Sequence, residues 1–253
     1  MQNGKVIGNM CSIAAYVGAG GKTSSILEEA AKLHKTGKRV VVTTTTHMRC
    51  PGLCPEGTNQ LTECPEEAEH LLQAGEVVWY GHRTAEGKFS GPSSEEWSAL
   101  RGMADVILTE ADGSKRLPVK VPASHEPVIP DNTDLIIIVM GMSVLGRRIS
   151  EVCHRIPLVL DLLNKQENDI LTEEDYAILL SEGYIEPLHR RFPACKMEIY
   201  LNQVGAPALL EAAERIGRAV CRKTEPLPVR YVNYSRALCR TGGIDKYVSD
   251  FST

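Results

Sequence analysis

An α/β fold with a mostly parallel, doubly wound sheet is what this sequence predicts, and three observations predict it. Short β-branched apolar runs alternate with segments of helical spacing along most of the chain, the pattern of strand–helix–strand crossovers. The runs are apolar at consecutive positions, as strands covered on both faces are. The first run also ends in glycines that open directly into a helix, since Ile13 to Leu27 reads IAAYVGAGGKTSSIL.

Taken in order, Met10 to Val17 is the first strand, and Lys22 to about Thr36 is a helix with apolar residues at 26, 27, 30, 31 and 33. Gly37 closes that helix. Arg39 to Thr45 (RVVVTTT) is a second strand, β-branched almost throughout. A loop rich in Pro, Gly and Cys runs from Met48 to about Thr62. Glu63 to Gln73 has helical spacing, Val77 to Tyr80 is a short strand, and Gly81 to Pro92 is a hairpin or loop. Ser93 caps a helix that runs to Met103. Ala104 to Thr109 (ADVILT) is the third core strand, and a Pro-rich stretch, Leu117 to Pro130, precedes the apolar strand Thr133 to Met140. A helical insertion follows around 146–190, in which Thr172 caps a helix through Leu180. Lys196 to Leu201, Ala206 to Cys221 and Val229 to Val232 complete the pattern as strand, helix and strand. The expectation is one domain over 1–253, with 146–190 as an optional helical subdomain.

The glycine turn has a physical reading. Gly18, Ala19, Gly20 and Gly21 let the backbone turn its N–H groups toward an anion, and the helix that starts at Lys22 faces the same point with its positive end. Lys22 would reach the β- and γ-phosphates of a nucleoside triphosphate, and Thr23 and Ser24 complete the cradle, with the Thr23 hydroxyl on Mg²⁺. The Walker A pattern is incomplete, because Tyr16 stands where it has its first glycine. A glycine turn after a strand also arises for steric reasons alone. Gly-Gly-Lys-Thr at a strand–helix junction is the more specific signal, and it predicts a P-loop NTPase-like fold.

Other candidates fall at strand ends, where open parallel sheets bind ligands. Asp112 follows an apolar strand and precedes Gly113, the place of a metal-holding carboxylate, so Thr23 and Asp112 are the expected metal pair. Glu110 lies two residues earlier and points the same way on an extended backbone. Either acid could orient a water for attack on the γ-phosphate, as could Thr46 as a γ-phosphate sensor. The alternative is a solvated acidic turn. His47, Arg116, His125, His154 and Arg155 are candidates for a substrate-facing or supporting shell, or else cap helices and pair with surface acids. Asn202 ends a late strand where a base-binding Asn belongs, although Gln203 and Gly205 replace the Lys and Asp that would grip guanine. ATP and GTP therefore both remain. Cys50, Cys54, Cys64 and Cys153 invite a zinc reading, but no second close pair exists, and reduced thiols are the competing account.

Composition narrows the classes. A net charge of −4 argues against a general nucleic-acid or membrane-surface role. The longest apolar runs fall well below the roughly 18 residues that a membrane span needs. Eight cysteines in a chain of this length, with a nucleotide loop, suggest reduced thiols in the cytoplasm.

VGAGGKTSS (17–25), RVVVTTTTHM (39–48), ILTEADGSKRLPVKVPASHEPVIP (107–130), the CHR at 153–155 and the strand ending in Asn202 occur in that order. In these motifs the chain resembles the YqeC family, described as accessory proteins for selenium-dependent molybdenum hydroxylases. The resemblance spans most of the chain from residue 11 to about 205. It implies a nucleotide-binding P-loop fold, a role in making or inserting a selenium-containing molybdenum cofactor, and the hydroxylase or its cofactor as partner. The expected function is Mg²⁺-dependent NTP hydrolysis in hydroxylase maturation. The alternatives are a kinase or nucleotidyl transferase acting on a cofactor precursor, and a non-catalytic carrier.

Overall fold

The computed structural model describes residues 11–49, 59–84 and 87–233. Cys50 and Cys54, and the start of the first strand at Met10, lie outside them. In chain order the described elements begin with β1 (Ser12–Gly18), α1 (Lys22–Lys35), β2 (Val40–Thr44), β3 (His47–Arg49), β4 (Asn59–Thr62), α2 (Pro65–Gln73) and β5 (Val77–Tyr80). They continue with β6 (His82–Thr84), β7 (Lys88–Ser90), α3 (Ser94–Met103), β8 (Val106–Glu110), β9 (Val119–Lys120) and β10 (Leu135–Gly141). Then come α4 (Ile149–Val152), β11 (Cys153–His154), α5 (Ile156–Leu163), α6 (Glu173–Leu180), α7 (Glu186–Arg191), β12 (Lys196–Asn202), α8 (Pro207–Lys223) and β13 (Val229–Val232).

Eight strands form the main sheet in the order β13-β12-β10-β1-β8-β2-β5-β4, and every pairing in it is parallel. The chain leaves β1 toward β4, returns to insert β8 beside β1, and then builds outward on the other side. Strand order thus reverses around β1, which is where such sheets open a crevice at their carboxyl ends. Register puts Tyr16 of β1 beside Glu110 of β8, and Gly18 beside Val139 of β10.

Alternation along β1 divides the core. Ala14 and Tyr16 pack with Ile26 and Ala30 of α1, and with Met48 and Phe89 from the antiparallel trio β3-β7-β6. Ile13 faces Leu72 of α2 and Leu100 of α3. Ala15 and Val17 share a cluster with Ile216 of α8 and with Val159, Tyr176 and Leu188 from α5, α6 and α7. The insertion between β10 and β12 is therefore helical as expected, and its apolar side is continuous with the sheet's core. Ser93 and Thr172 both form capping boxes, with Glu96 and Asp175 respectively.

One expectation needs correction and another holds. The loop from Met48 to Thr62 ends in a parallel edge strand, β4, whose NQLT carries one apolar residue and gains its order by pairing with β5. The segment read as a hairpin or loop is a hairpin of β6 against β7, and β3 joins it in a second sheet. Among the described residues no helix is long and apolar enough to cross a membrane.

The parallel strands next to the crevice hold it by packing. Ile138 of β10 is fully buried, so Ile138→Ala should lower unfolding free energy by about 2–5 kcal/mol in urea titration. A cost under about 1 kcal/mol would mean that this layer is not the core described.

Candidate phosphate-binding site

The apolar run of β1 stops at Gly18, and the backbone then turns through Gly18, Ala19, Gly20 and Gly21 into α1. Gly20 and Gly21 show why the turn requires glycine. Gly20 has φ +84°, and a Cβ there would collide with the backbone of Gly141. Gly21 has φ +127°, and its Cβ would strike the Asn202 amide. Gly21 is also the N-cap of α1, with no side-chain cap and no acidic residue in the first turn. The unsatisfied N–H groups of a helix start and its positive end are therefore left to an outside anion.

Lys22 is 4% exposed and turns back beneath the loop. Its Nζ donates to the Gly18 carbonyl at 2.6 Å and stands 3.1 Å from Asp112 Oδ1 and 3.9 Å from Glu110 Oε1. Asp112 is completely buried, and its Oδ2 accepts from Gly18 N–H at 3.0 Å. The Thr23 hydroxyl donates to Glu110 Oε2 at 2.8 Å. Structure thus brings Lys22, Thr23, Glu110 and Asp112 together, with Glu110 as the acid bonded to Thr23 and Asp112 as the acid nearest Lys22. Ser24 is half-buried in the first turn of α1.

The threonine run meets the same place from β2. Thr44 donates to the Glu110 carbonyl at 2.8 Å, its Oγ1 accepts from Thr46 N–H at 3.1 Å, and the Thr46 hydroxyl lies 3.4 Å away. Thr46 is half-buried beside Glu110's strand end. Asn202 arrives from β12 and donates to the Gly20 carbonyl at 3.0 Å, while its Oδ1 accepts from Gln203 N–H at 2.7 Å. Its side chain holds the turn. His47, Arg116 and His125 are exposed and stand outside this network.

Two residues missing from the sequence-derived set complete it. Lys120 is 0% exposed, and its Nζ lies 2.9 Å from Asp112 Oδ2, 2.8 Å from Glu126 Oε2 and 2.7 Å from the Gly113 carbonyl. Glu126 in turn accepts from Arg155 Nη2 at 2.7 Å. Arg155 has φ +62°, a left-handed conformation that ends β11 and starts α5. The only hint in sequence is a lysine between Val119 and Val121, in a run that is otherwise apolar. His154 lies beside Lys120 in the β11–β9 pair, and its Nδ1 is buried without a hydrogen-bond partner.

The family match covers residues 14–157, under the description YqeC protein, and that span contains the glycine turn, both carboxylates, Lys120 and Glu126. This chain belongs to the YqeC family. Over 240 residues it is 35% identical to a protein of Escherichia coli (strain K12) called "Uncharacterized protein YqeC", covering 88% of this chain and 92% of that one. Among solved structures it is similar to hydrogenase maturation factor HypB from Archaeoglobus fulgidus, with 9% identity, 89% and 82% coverage and a TM-score of 0.38. That likeness is too distant to bear on function.

Electrostatics in this YqeC-family site follow from burial. Burial opposes the charge on Lys22, but Asp112 and Glu110 outweigh it and hold the ammonium above its ordinary pKa. Burial pushes the Glu110 carboxyl up, only partly offset by Lys22 and Thr23. Burial and the cations Arg155, Lys120 and Lys115 push His154 down. Glu126 lies below the ordinary range because Lys120 and Arg155 outweigh its burial. Among the described residues no group of three or more His, Cys, Asp or Glu is placed to hold a metal. Cys64 is exposed, and burial raises the Cys153 thiol to about 12.

Because folded Glu110 holds its proton more tightly than the ordinary value of 4.5, the native state is favoured at low pH and loses that stability as pH rises through the folded value. Glu110→Gln should therefore raise the melting temperature of the ligand-free protein at neutral pH. Scans across pH should show the gain shrinking as acid protonates the wild-type carboxyl. An equal gain at every pH would contradict this account.

Proposed function

We propose that this chain binds a nucleoside triphosphate, ATP or GTP, with Mg²⁺, and hydrolyses it as an accessory factor in the maturation of selenium-dependent molybdenum hydroxylases. The observation that carries the reading is Lys22, held 3.1 Å from Asp112 beneath a glycine turn that opens into a helix with no acidic residue of its own in the first turn. A buried lysine with two alternative anionic partners, one internal and one arriving, is what polyphosphate capture requires. Lys22 would exchange Gly18 O and Asp112 for β- and γ-phosphate oxygens, while the turn's N–H groups receive the remaining charge.

Thr23 and Glu110 set two hard oxygen donors 2.8 Å apart, a donor chemistry that suits Mg²⁺. Bound there, the ion would neutralise phosphate charge as the γ-phosphoryl departs. Asp112 Oδ1, released by Lys22, becomes a further acceptor next to that place. Thr46 and Glu110 would orient the attacking water, whose oxygen bonds the γ-phosphorus as the bridging oxygen leaves with the diphosphate. The maturation role is supported by the family resemblance, and a cytoplasmic setting by the free thiols of Cys11, Cys64, Cys153, Cys195 and Cys221.

A second reading, phosphoryl transfer to a small cofactor precursor, has one observation in its favour. His154 Nδ1 and Arg155 Nε are buried without hydrogen-bond partners, and a second ligand could satisfy both. Inorganic phosphate released without any acceptor supports hydrolysis, whereas nucleoside diphosphate formed only with added precursor, with the phosphoryl group on the precursor and no free phosphate, supports transfer.

Lys22→Ala removes a charged contact to phosphate, so Mg²⁺-dependent binding of the preferred triphosphate should weaken about 10- to 100-fold by calorimetry. Equal affinity in wild type and variant would refute the reading.

A further inference from the structure

Lys120 takes no part in the chemistry just proposed, yet it is fully buried against the acid that Lys22 must leave. An ammonium has three N–H donors, and here Asp112, Glu126 and the Gly113 carbonyl supply three acceptors. No donor is left over for a ligand. Its backbone is equally committed, through the pairing of β9 with β11 and a 3.2 Å bond from the Tyr184 hydroxyl to its carbonyl.

Asp112 is therefore shared between two cations. Its Oδ1 faces Lys22, and its Oδ2 faces Lys120 and the Gly18 N–H. Without Lys120, Lys22 would be the only cation at this buried carboxylate among the described residues, and moving it to phosphate would strand that charge. With Lys120 in place, Asp112 stays neutralised and oriented while Lys22 moves. Glu126 draws on the same ammonium, and so weakens its hold on Asp112.

Resting on the nucleotide-binding reading above, we infer that Lys120 is the positioning residue that frees Lys22 for phosphate, and that Glu126 sets how far it does so. The two residues then act with opposite sign. Lys120→Met tightens Asp112's grip on Lys22 and weakens triphosphate binding. Glu126→Gln gives Lys120 wholly to Asp112 and strengthens it. Arg155, with its side chain 25% exposed, can turn to water when Glu126 loses its charge. A merely structural role would lower affinity in both variants.

Calorimetric titration of the full chain with ATP and with GTP, in Mg²⁺, tests this. Affinity should fall about tenfold in Lys120→Met and rise about fivefold in Glu126→Gln. If Lys120→Met does not fold, Glu126→Gln decides alone, a rise supporting the inference and an unchanged or weaker affinity overturning it. Both variants weakening, or neither moving while wild type binds, also overturns it. A wild type that binds neither nucleotide removes the inference together with the reading beneath it, and the wild-type titration alone reveals that case.

Discussion

A carboxylate with no exposed surface, Asp112, organises the site, because a buried charge must be answered at short range. Removing one partner from a buried ion pair costs about 3–5 kcal/mol, whereas an exposed pair contributes about 0–1. Burial therefore decides which of the chain's ion pairs shape the fold here. Asp112 is met by Lys22, Lys120 and the Gly18 N–H, which come from α1, β9 and β1. Two stretches distant in sequence, the β1–α1 turn and the segment from Asp112 to β9, are thereby fixed around one side chain. The surface pairs, such as Arg147–Glu151 on exposed side chains, carry no comparable constraint.

Glu110 is the counterweight. It sits beside Tyr16 and Thr44 in register and shares the buried pocket with Asp112, yet its nearer cation is 3.9 Å away. Its charge is the poorly compensated one, as the upward shift from burial shows. In the proposed function this carboxyl, held at a cost in the ligand-free protein and bonded to the hydroxyl at the start of α1, is the one that would receive Mg²⁺. Sites of this kind trade stability for readiness. A hollow of about 530 Å³ lies elsewhere, at the amino-terminal ends of β12 and β13, and is lined by Cys195, Lys196 and Pro228 among others. It has no part in this arrangement.

The parallel sheet, the glycine turn and the Glu110–Asp112 pair were legible in the sequence, because continuous apolar runs and a glycine–lysine junction are local signals. Lys120 was not. A lysine between valines looks the same whether it points to solvent or inward, and its partner lies eight residues back across a turn. That turn includes Lys115 and Arg116, both in left-handed conformations with φ of 48° and 65°, which no propensity for Lys or Arg foretells. Asn202 was visible as a strand-end residue but not as a strut of the loop, since its contact with Gly20 spans 182 residues. The edge strand β4 was hidden because NQLT has almost no apolar pattern and depends on its neighbour. What escaped was in each case settled by a partner across a turn or strand, not by a pattern in the residue's own run.

Among the described residues, four side-chain bonds tie the helical segment between β10 and β12 to this site, beside the β11–β9 pairing. Arg155 reaches Glu126, Arg191 donates to the Pro127 carbonyl at 3.1 Å, Tyr176 donates to Gly141 at 2.7 Å, and Tyr184 donates to Lys120. Contiguity alone does not make a switch, because coupling also needs an element with two arrangements. Lys22 is that element in the proposed function, with internal partners in one state and phosphate in the other. Lys120 stays in contact with Asp112 on one side and Glu126 on the other, so a change in the charge felt by Asp112 reaches Arg155 without any long displacement. Close packing around these groups leaves little slack to absorb it.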